Sequence, residues 1–103
     1  PLTVDNARLL NAQTLAACRR GVIVVNTARG GLIDEDALLE AVRSGQVGSA
    51  GLDSFAAEPM RAPHPFHGEA RITLSPHIGG VTADAYVKMG VAAARNALAV
   101  LNR

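Results

Sequence analysis

Three residues of this chain have the chemistry to handle an acid and its proton. Arg29 follows the apolar run Val22 to Val25, Glu58 follows the stretch Gly48 to Leu52, and His77 follows Ile72 to Leu74. An arginine fork binds a carboxylate through two hydrogen bonds, so Arg29 suits an acid substrate. A histidine exchanges a proton with an alcohol or a carbonyl. A carboxylate beside it fixes the ring tautomer and favours the charged imidazolium. Asp53, at the end of the second apolar stretch, can accept a hydrogen bond from an amide. An acid, a proton and an amide handled together describe oxidation of a hydroxy acid by a nicotinamide. Taken singly, each residue has a plainer reading: a solvated charge at Arg29, a structural His77, a turn at Glu58-Pro59. Their shared position speaks for function, because the carboxyl ends of parallel strands open onto one crevice.

The elements that must position these residues alternate between strand and helix. Asn11 is placed to cap a helix over AQTLAACRR that Gly21 stops, with Arg19 and Arg20 at the C-terminal end of its dipole. Val22 to Val25 predicts a strand buried on both faces, as parallel strands are. Asp34 opens a second helix with Glu35 and Asp36 in its first turn, Ser44-Gly45 closes it, and Leu38, Leu39 and Val42 form its apolar stripe. Gly48 to Leu52 and Ile72 to Leu74 predict two further strands, and Thr82 caps a final long helix of small residues from about Ala83 to Leu101. Between them, Ala56 to Ala70 is one long loop rich in proline and histidine, the kind that often carries function. This alternation predicts a parallel sheet with right-handed crossovers. Three short strands are few for a doubly wound fold, so the expected fold is a partial one.

Length and composition set the outer bounds. With 103 residues, 49% of them hydrophobic, the chain is one small domain. Its formal charge is +1, and nine arginines and one lysine are spread along it without a basic stripe, so no nucleic-acid partner is expected. The apolar runs are too short to span a bilayer, which argues against a membrane role. Cys18 is the only cysteine and reads as helix filler; with no signal-peptide pattern, a reducing cytoplasm is the expected location. His64-x-x-His67 lacks a carboxylate or cysteine companion, so no metal is expected there. The opening PLTVDNARLL reads as the middle of a loop, and the chain as a piece of a longer protein.

The runs VVNTARGGLIDEDAL, GLDSFAAEP and SPHIGG, in that order, resemble the D-isomer-specific 2-hydroxyacid dehydrogenases. The resemblance covers nearly the whole chain and corresponds to the second half of that family's NAD-binding domain. It implies an α/β fold, a partial Rossmann-like doubly wound parallel sheet with flanking helices, and a parent similar to phosphoglycerate and glycerate dehydrogenases. It also implies that Arg29 binds the substrate carboxylate and orients the keto group, that His77 is the acid/base on the substrate oxygen, and that Glu58 pairs with His77. Asp53 would hold the nicotinamide carboxamide. Thr27, Ala28, Arg29 and the turn His77-Ile78-Gly79-Gly80 would line the cofactor, NAD or NADP. Gly30-Gly31 would let the backbone turn beside that cofactor without a Cβ clash.

The chain departs from the family pattern in three places. No G-x-G-x-x-G occurs, a separate substrate domain is missing, and Ser54 stands where a Val- or Thr-like residue is usual. Residues 1–103 therefore read as the C-terminal half of a dinucleotide-binding domain, expected to bind NAD weakly alone and to expose apolar surface. The parent is expected to be a homodimer acting on a small 2-hydroxy or 2-keto acid. Alternatives are an NAD-sensing corepressor-type binding protein and an inactive fragment of the dehydrogenase. The formate dehydrogenases, a related class, carry Gln where this chain has Glu58.

Overall fold

The computed structural model describes all 103 residues, Pro1 to Arg103. In chain order its main elements are α1 (Ala12–Ala17), β1 (Val22–Asn26), α2 (Glu35–Ser44), β2 (Val47–Leu52), β3 (Ile72–Leu74) and α3 (Ala83–Leu101). Short 3₁₀ turns at Gly30–Leu32 and Pro65–Gly68 lie between them. The three strands form a parallel sheet in the order β1-β2-β3, the α/β arrangement that the alternating pattern predicts. All three C-terminal ends therefore point the same way.

Local chemistry explains where the helices start and stop. The Asn11 side chain accepts hydrogen bonds from Gln13 N and Thr14 N, and the Thr14 side chain accepts one from the Asn11 backbone, a closed capping box. Asp34 accepts from Ala37 N, while Glu35 and Asp36 favour the positive end of the α2 dipole. Gly45 ends α2 at φ +83°, the left-handed conformation in which a Cβ is penalised. The first helix is shorter than its sequence predicts. Cys18 turns to extended backbone and ends α1, leaving Arg19 and Arg20 beyond it. Arg20 instead reaches across to donate to Ser44 O at 2.8 Å, holding the end of α2.

Register pairing sorts the sheet into two unlike faces. Val24, Ala50 and Ile72 stand level across the three strands, with Asn26, Leu52 and Leu74 one step further along. This face meets Leu38, Leu39 and Val42 of α2 together with Leu15 of α1 in a single core of 12 buried apolar residues. Leu38 and Val42 are fully buried, each worth about 1.5–3 kcal/mol relative to exposure. The opposite face carries Ile23 and Val25 on β1, with Ser49, Gly51 and Thr73 beside them. Ile23 and Val25 are each 69% exposed, so the strand is buried on one face, not on both as its sequence predicts. The reason is topological: α1 and α2 cover one side of the sheet, and α3 buries none of its own residues. Tyr86, Val87, Met89 and Leu98 leave apolar surface open along α3, the exposure expected of this chain.

Gly30 has a packing role that its sequence does not disclose. A Cβ built there would lie 1.9 Å from the Phe55 carbonyl carbon and 2.1 Å from its oxygen. The turn after β1 and the segment after β2 thus touch backbone to backbone, and only glycine fits between them. Gly31 meets Leu2 instead, whose Cδ2 would be 2.6 Å from an added Cβ. Gly30→Ala should consequently lower the urea midpoint of unfolding by an amount equivalent to about 1–3 kcal/mol or more. Gly51→Ala, where nothing lies within 4 Å of the new carbon, should change it by about 0.5 kcal/mol at most. Equal effects at the two positions would show that the Gly30 contact is not restrictive.

Candidate active site

Each strand end delivers its residue through a hydrogen-bonded turn. After β1, the buried Asn26 side chain donates from Nδ2 to Arg29 O at 2.9 Å and accepts from Ala28 N at 3.0 Å. This local clamp, of the kind asparagine favours in turns, fixes Thr27 to Arg29. Thr27, Ala28 and Arg29 are exposed at the crevice edge, and Arg29 Nη1 donates to Ala28 O at 2.7 Å. After β2, Glu35 of α2 accepts from Ala56 N at 3.0 Å, while Glu58 turns back to accept from Phe55 N at 3.0 Å.

After β3, the carboxylate of Asp53 holds the whole turn. Its Oδ1 accepts from Ser75 Oγ at 2.6 Å and from Ile78 N at 2.9 Å, and its Oδ2 accepts from Gly79 N at 2.8 Å. Those three bonds, the Ser75 one foremost, hold the Asp53 carboxyl below its ordinary value, with nearby His77 adding to the effect. His77 itself sits at φ +56°, a left-handed backbone that histidine adopts more readily than most residues but still at a steric penalty. Such strained positions cluster at functional sites.

The clasped turn aims His77 at Glu58. His77 Nδ1 and Glu58 Oε2 lie 2.7 Å apart, with the two side chains 41% and 34% exposed. The hydrogen bond to His77, then that from Phe55 N, holds the Glu58 carboxyl below its usual range; the Arg29 charge acts in the same direction. An ionised Glu58 only accepts, so Nδ1 carries the hydrogen and donates it. The free ring nitrogen, Nε2, is then the one available to a ligand. Arg29, Glu58 and His77 line one cavity of about 790 Å³, together with Gly30, Gly31 and Phe55. A second cavity of about 610 Å³ lies beside the same pair, walled by Met60, Leu74 and Pro76.

The structure thus brings Arg29, Glu58 and His77 together, with Asp53 behind the turn and Ile78, Gly79 and Gly80 along its exposed edge. Asn26, Ser75 and Glu35 are positioning residues that sequence reasoning missed. Asn26 alone left a signal, an asparagine ending an apolar strand. The two loop histidines serve backbone instead: His64 Nδ1 accepts from Phe66 N at 3.1 Å and His67 Nδ1 from His64 N at 3.2 Å. Cys18 Sγ donates to Thr14 O at 3.3 Å.

Comparison with known proteins gives the arrangement a family context. Residues 1–79 match the family model described as "D-isomer specific 2-hydroxyacid dehydrogenase, NAD binding domain". The D-3-phosphoglycerate dehydrogenase of Mycobacterium leprae is 47% identical over 90 residues, 87% of this chain and 17% of that protein. A crystal structure of a Thermus thermophilus protein superposes with TM-score 0.93 at 43% identity, covering 99% of this chain and 32% of the other. A D-isomer-specific 2-hydroxyacid dehydrogenase from Xanthobacter autotrophicus Py2, solved in complex with NADPH and MES, superposes with TM-score 0.73 at 40% identity, covering 76% and 25%. The chain therefore spans between about a sixth and a third of the length of these relatives.

The depressed carboxyl of Asp53 fixes a sign for acid titration. Its stabilisation is complete above its ordinary value of 3.8 and is lost as pH falls through the lowered folded-state value. Asp53→Asn, whose amide would set a donor against Gly79 N or Ile78 N, should lower Tm at neutral pH. The gap from the parent should narrow below pH 3.8. A gap of constant size down to pH 2 would show that the charge of Asp53 does not hold the turn.

Proposed function

The chain belongs to the NAD-binding domain family of the D-isomer-specific 2-hydroxyacid dehydrogenases, and on that premise we propose that its protein interconverts a small D-2-hydroxy acid and the matching 2-keto acid. The observation that carries this reading is the 2.7 Å contact between His77 Nδ1 and Glu58 Oε2 on the cavity that Arg29 lines. Arg29 pairs with the substrate carboxylate through its planar fork, which sets the keto carbon beside His77. His77 Nε2 gives its proton to the carbonyl oxygen in reduction and takes it from the hydroxyl in oxidation. Glu58 holds the ring in the productive tautomer and compensates the imidazolium charge.

The residues present fit the nicotinamide end of a dinucleotide. Asp53 Oδ2 accepts one hydrogen bond and keeps a lone pair for a carboxamide. Thr27 and Ala28 stand exposed beside it, and nothing lies within 4 Å of a Cβ built at Gly80, which leaves an open ledge. When bound, the cofactor accepts or supplies the hydride. In this reading residues 1–103 supply the C-terminal half of the dinucleotide-binding domain, and a glycine-rich turn elsewhere in the protein holds the pyrophosphate. The protein is a homodimer that takes a small 2-hydroxy or 2-keto acid. No helix of the chain is long and apolar enough to cross a membrane.

Assays of the full-length protein against glyoxylate, hydroxypyruvate, 3-phosphohydroxypyruvate and pyruvate test the reaction through cofactor absorbance. His77→Ala should reduce kcat by roughly 10²–10⁴-fold, the range of a general acid/base, with cofactor affinity changed far less. Retained turnover in that variant would remove His77 from the chemistry. Arg29→Lys should impair kcat/KM nearly as much as Arg29→Ala, because a point charge cannot reproduce the fork. Near-normal catalysis with lysine would mean that Arg29 supplies only positive potential.

A further inference from the structure

We propose that His64 is a positioning residue for the Glu58–His77 pair: together with Glu35 of α2 it holds the far side of the loop that carries Glu58. The inference rests on the dehydrogenase reading above and adds to it a contact, away from the strand ends, that sets the acid/base geometry.

The loop cannot hold Glu58 by its own backbone. Residues 56–63 form no helix or strand and make no backbone–backbone hydrogen bond. Side chains must therefore fix that segment, and one carboxylate meets it twice. Glu35 Oε2 accepts from Ala56 N at 3.0 Å, and Glu35 Oε1 lies 3.7 Å from His64 Nε2. The two contacts fall on either side of Glu58, which turns back to Phe55 N at 3.0 Å and across to His77 Nδ1 at 2.7 Å. Glu35 opens α2, the helix whose Leu38, Leu39 and Val42 are buried in the core. The loop is thus tied to the most firmly packed helix of the chain.

His64 is aimed at Glu35 by its own surroundings. Its Nδ1 accepts from Phe66 N at 3.1 Å, and its backbone N donates to His67 Nδ1 at 3.2 Å. Phe66 is 1% exposed, and its ring centroid lies 4.7 Å from that of His64. An Nδ1 that accepts leaves the hydrogen on Nε2, the nitrogen that faces Glu35. Capping the Pro65–Gly68 turn needs only the acceptor at Nδ1, which an asparagine supplies equally well. What the imidazole adds is the second nitrogen on Glu35. The two side chains are 22% and 20% exposed, whereas those of Arg43–Glu40 and Lys88–Asp84 are all more than half open. Water therefore screens the His64–Glu35 contact less than those surface pairs.

The test compares the full-length protein with His64→Asn and His64→Gln. Asparagine keeps an acceptor for Phe66 N but is too short to meet Glu35; glutamine carries its amide nitrogen to the reach of Nε2. Nitrogen NMR in alkaline buffer, where imidazoles are neutral, reads the tautomer of His77. In the parent the hydrogen sits on Nδ1, against Glu58. His64→Asn should mix the two tautomers, and His64→Gln should keep the parent pattern. On the keto acids that the parent reduces, His64→Asn should lower kcat by about tenfold and change KM by less than about twofold, because geometry is lost and not substrate contact. An unchanged His77 spectrum or a parental kcat in His64→Asn overturns the proposal, as do equal losses in the two variants. A lower Tm without these changes also overturns it, since His64 would then only cap the turn. Absence of turnover by the parent on every acid tested would instead sink the dehydrogenase reading, with the His77 tautomer still deciding His64.

Discussion

The carboxylate of Asp53 is the interaction on which the site depends. It sits at the end of β2 and accepts three hydrogen bonds from the turn that follows β3. A charged acceptor makes stronger hydrogen bonds than a neutral one, and three convergent donors keep it ionised. That clasp holds His77 in a left-handed backbone conformation and turns its Nδ1 onto Glu58. Glu58 is in turn held from behind by Phe55 N. The chain of contacts runs from buried strand to a partly exposed ring, so the His77 imidazole is positioned by elements of the scaffold.

A second constraint joins the strand end that carries Arg29 to the one that carries Glu58. The Gly30 backbone lies against Phe55 and Ala56 so closely that no side chain fits between. Arg29 and Glu58 are thereby held on one cavity although they lie 29 positions apart in sequence. The cavity is not simply positive. Its carboxylates are mostly occupied by backbone N–H groups or by His77, which leaves most of the guanidinium nitrogens of Arg29 as open donors. A carboxylate already paired is a weaker repulsive element toward an incoming anion than a free one.

The sheet presents a complementary contrast between its faces. One is closed by α1 and α2 around Leu15, Leu38 and Val42; the other leaves Ile23 and Val25 to solvent, and α3 is apolar without a buried residue. Apolar surface of that kind is stabilised by cover. The edge that carries Arg29, Glu58 and His77 lies between these faces, at the strand ends, where neither layer blocks it.

By itself the sequence determined what local chemistry decides. Asn11, Asp34 and Thr82 start helices because their side chains accept the first free N–H groups, and Gly45 ends α2 because it tolerates positive φ. The three strands, and Arg29, Glu58 and His77 after them, were legible from apolar runs and from the geometry of parallel strand ends. What only tertiary structure decided depends on contacts between distant residues. The early end of α1 follows no local signal, because Gly21 was an equally good stop and Cys18 ended the helix instead. Burial of β1 on one face was hidden because Val and Ile read alike whether a second layer covers them or not. Gly30 reads as a turn residue, and only the approach of Phe55 gives it a packing role. Asp53 as the clasp of the His77 turn follows from hydrogen bonds to residues 22 to 26 positions away in sequence, which no local pattern encodes.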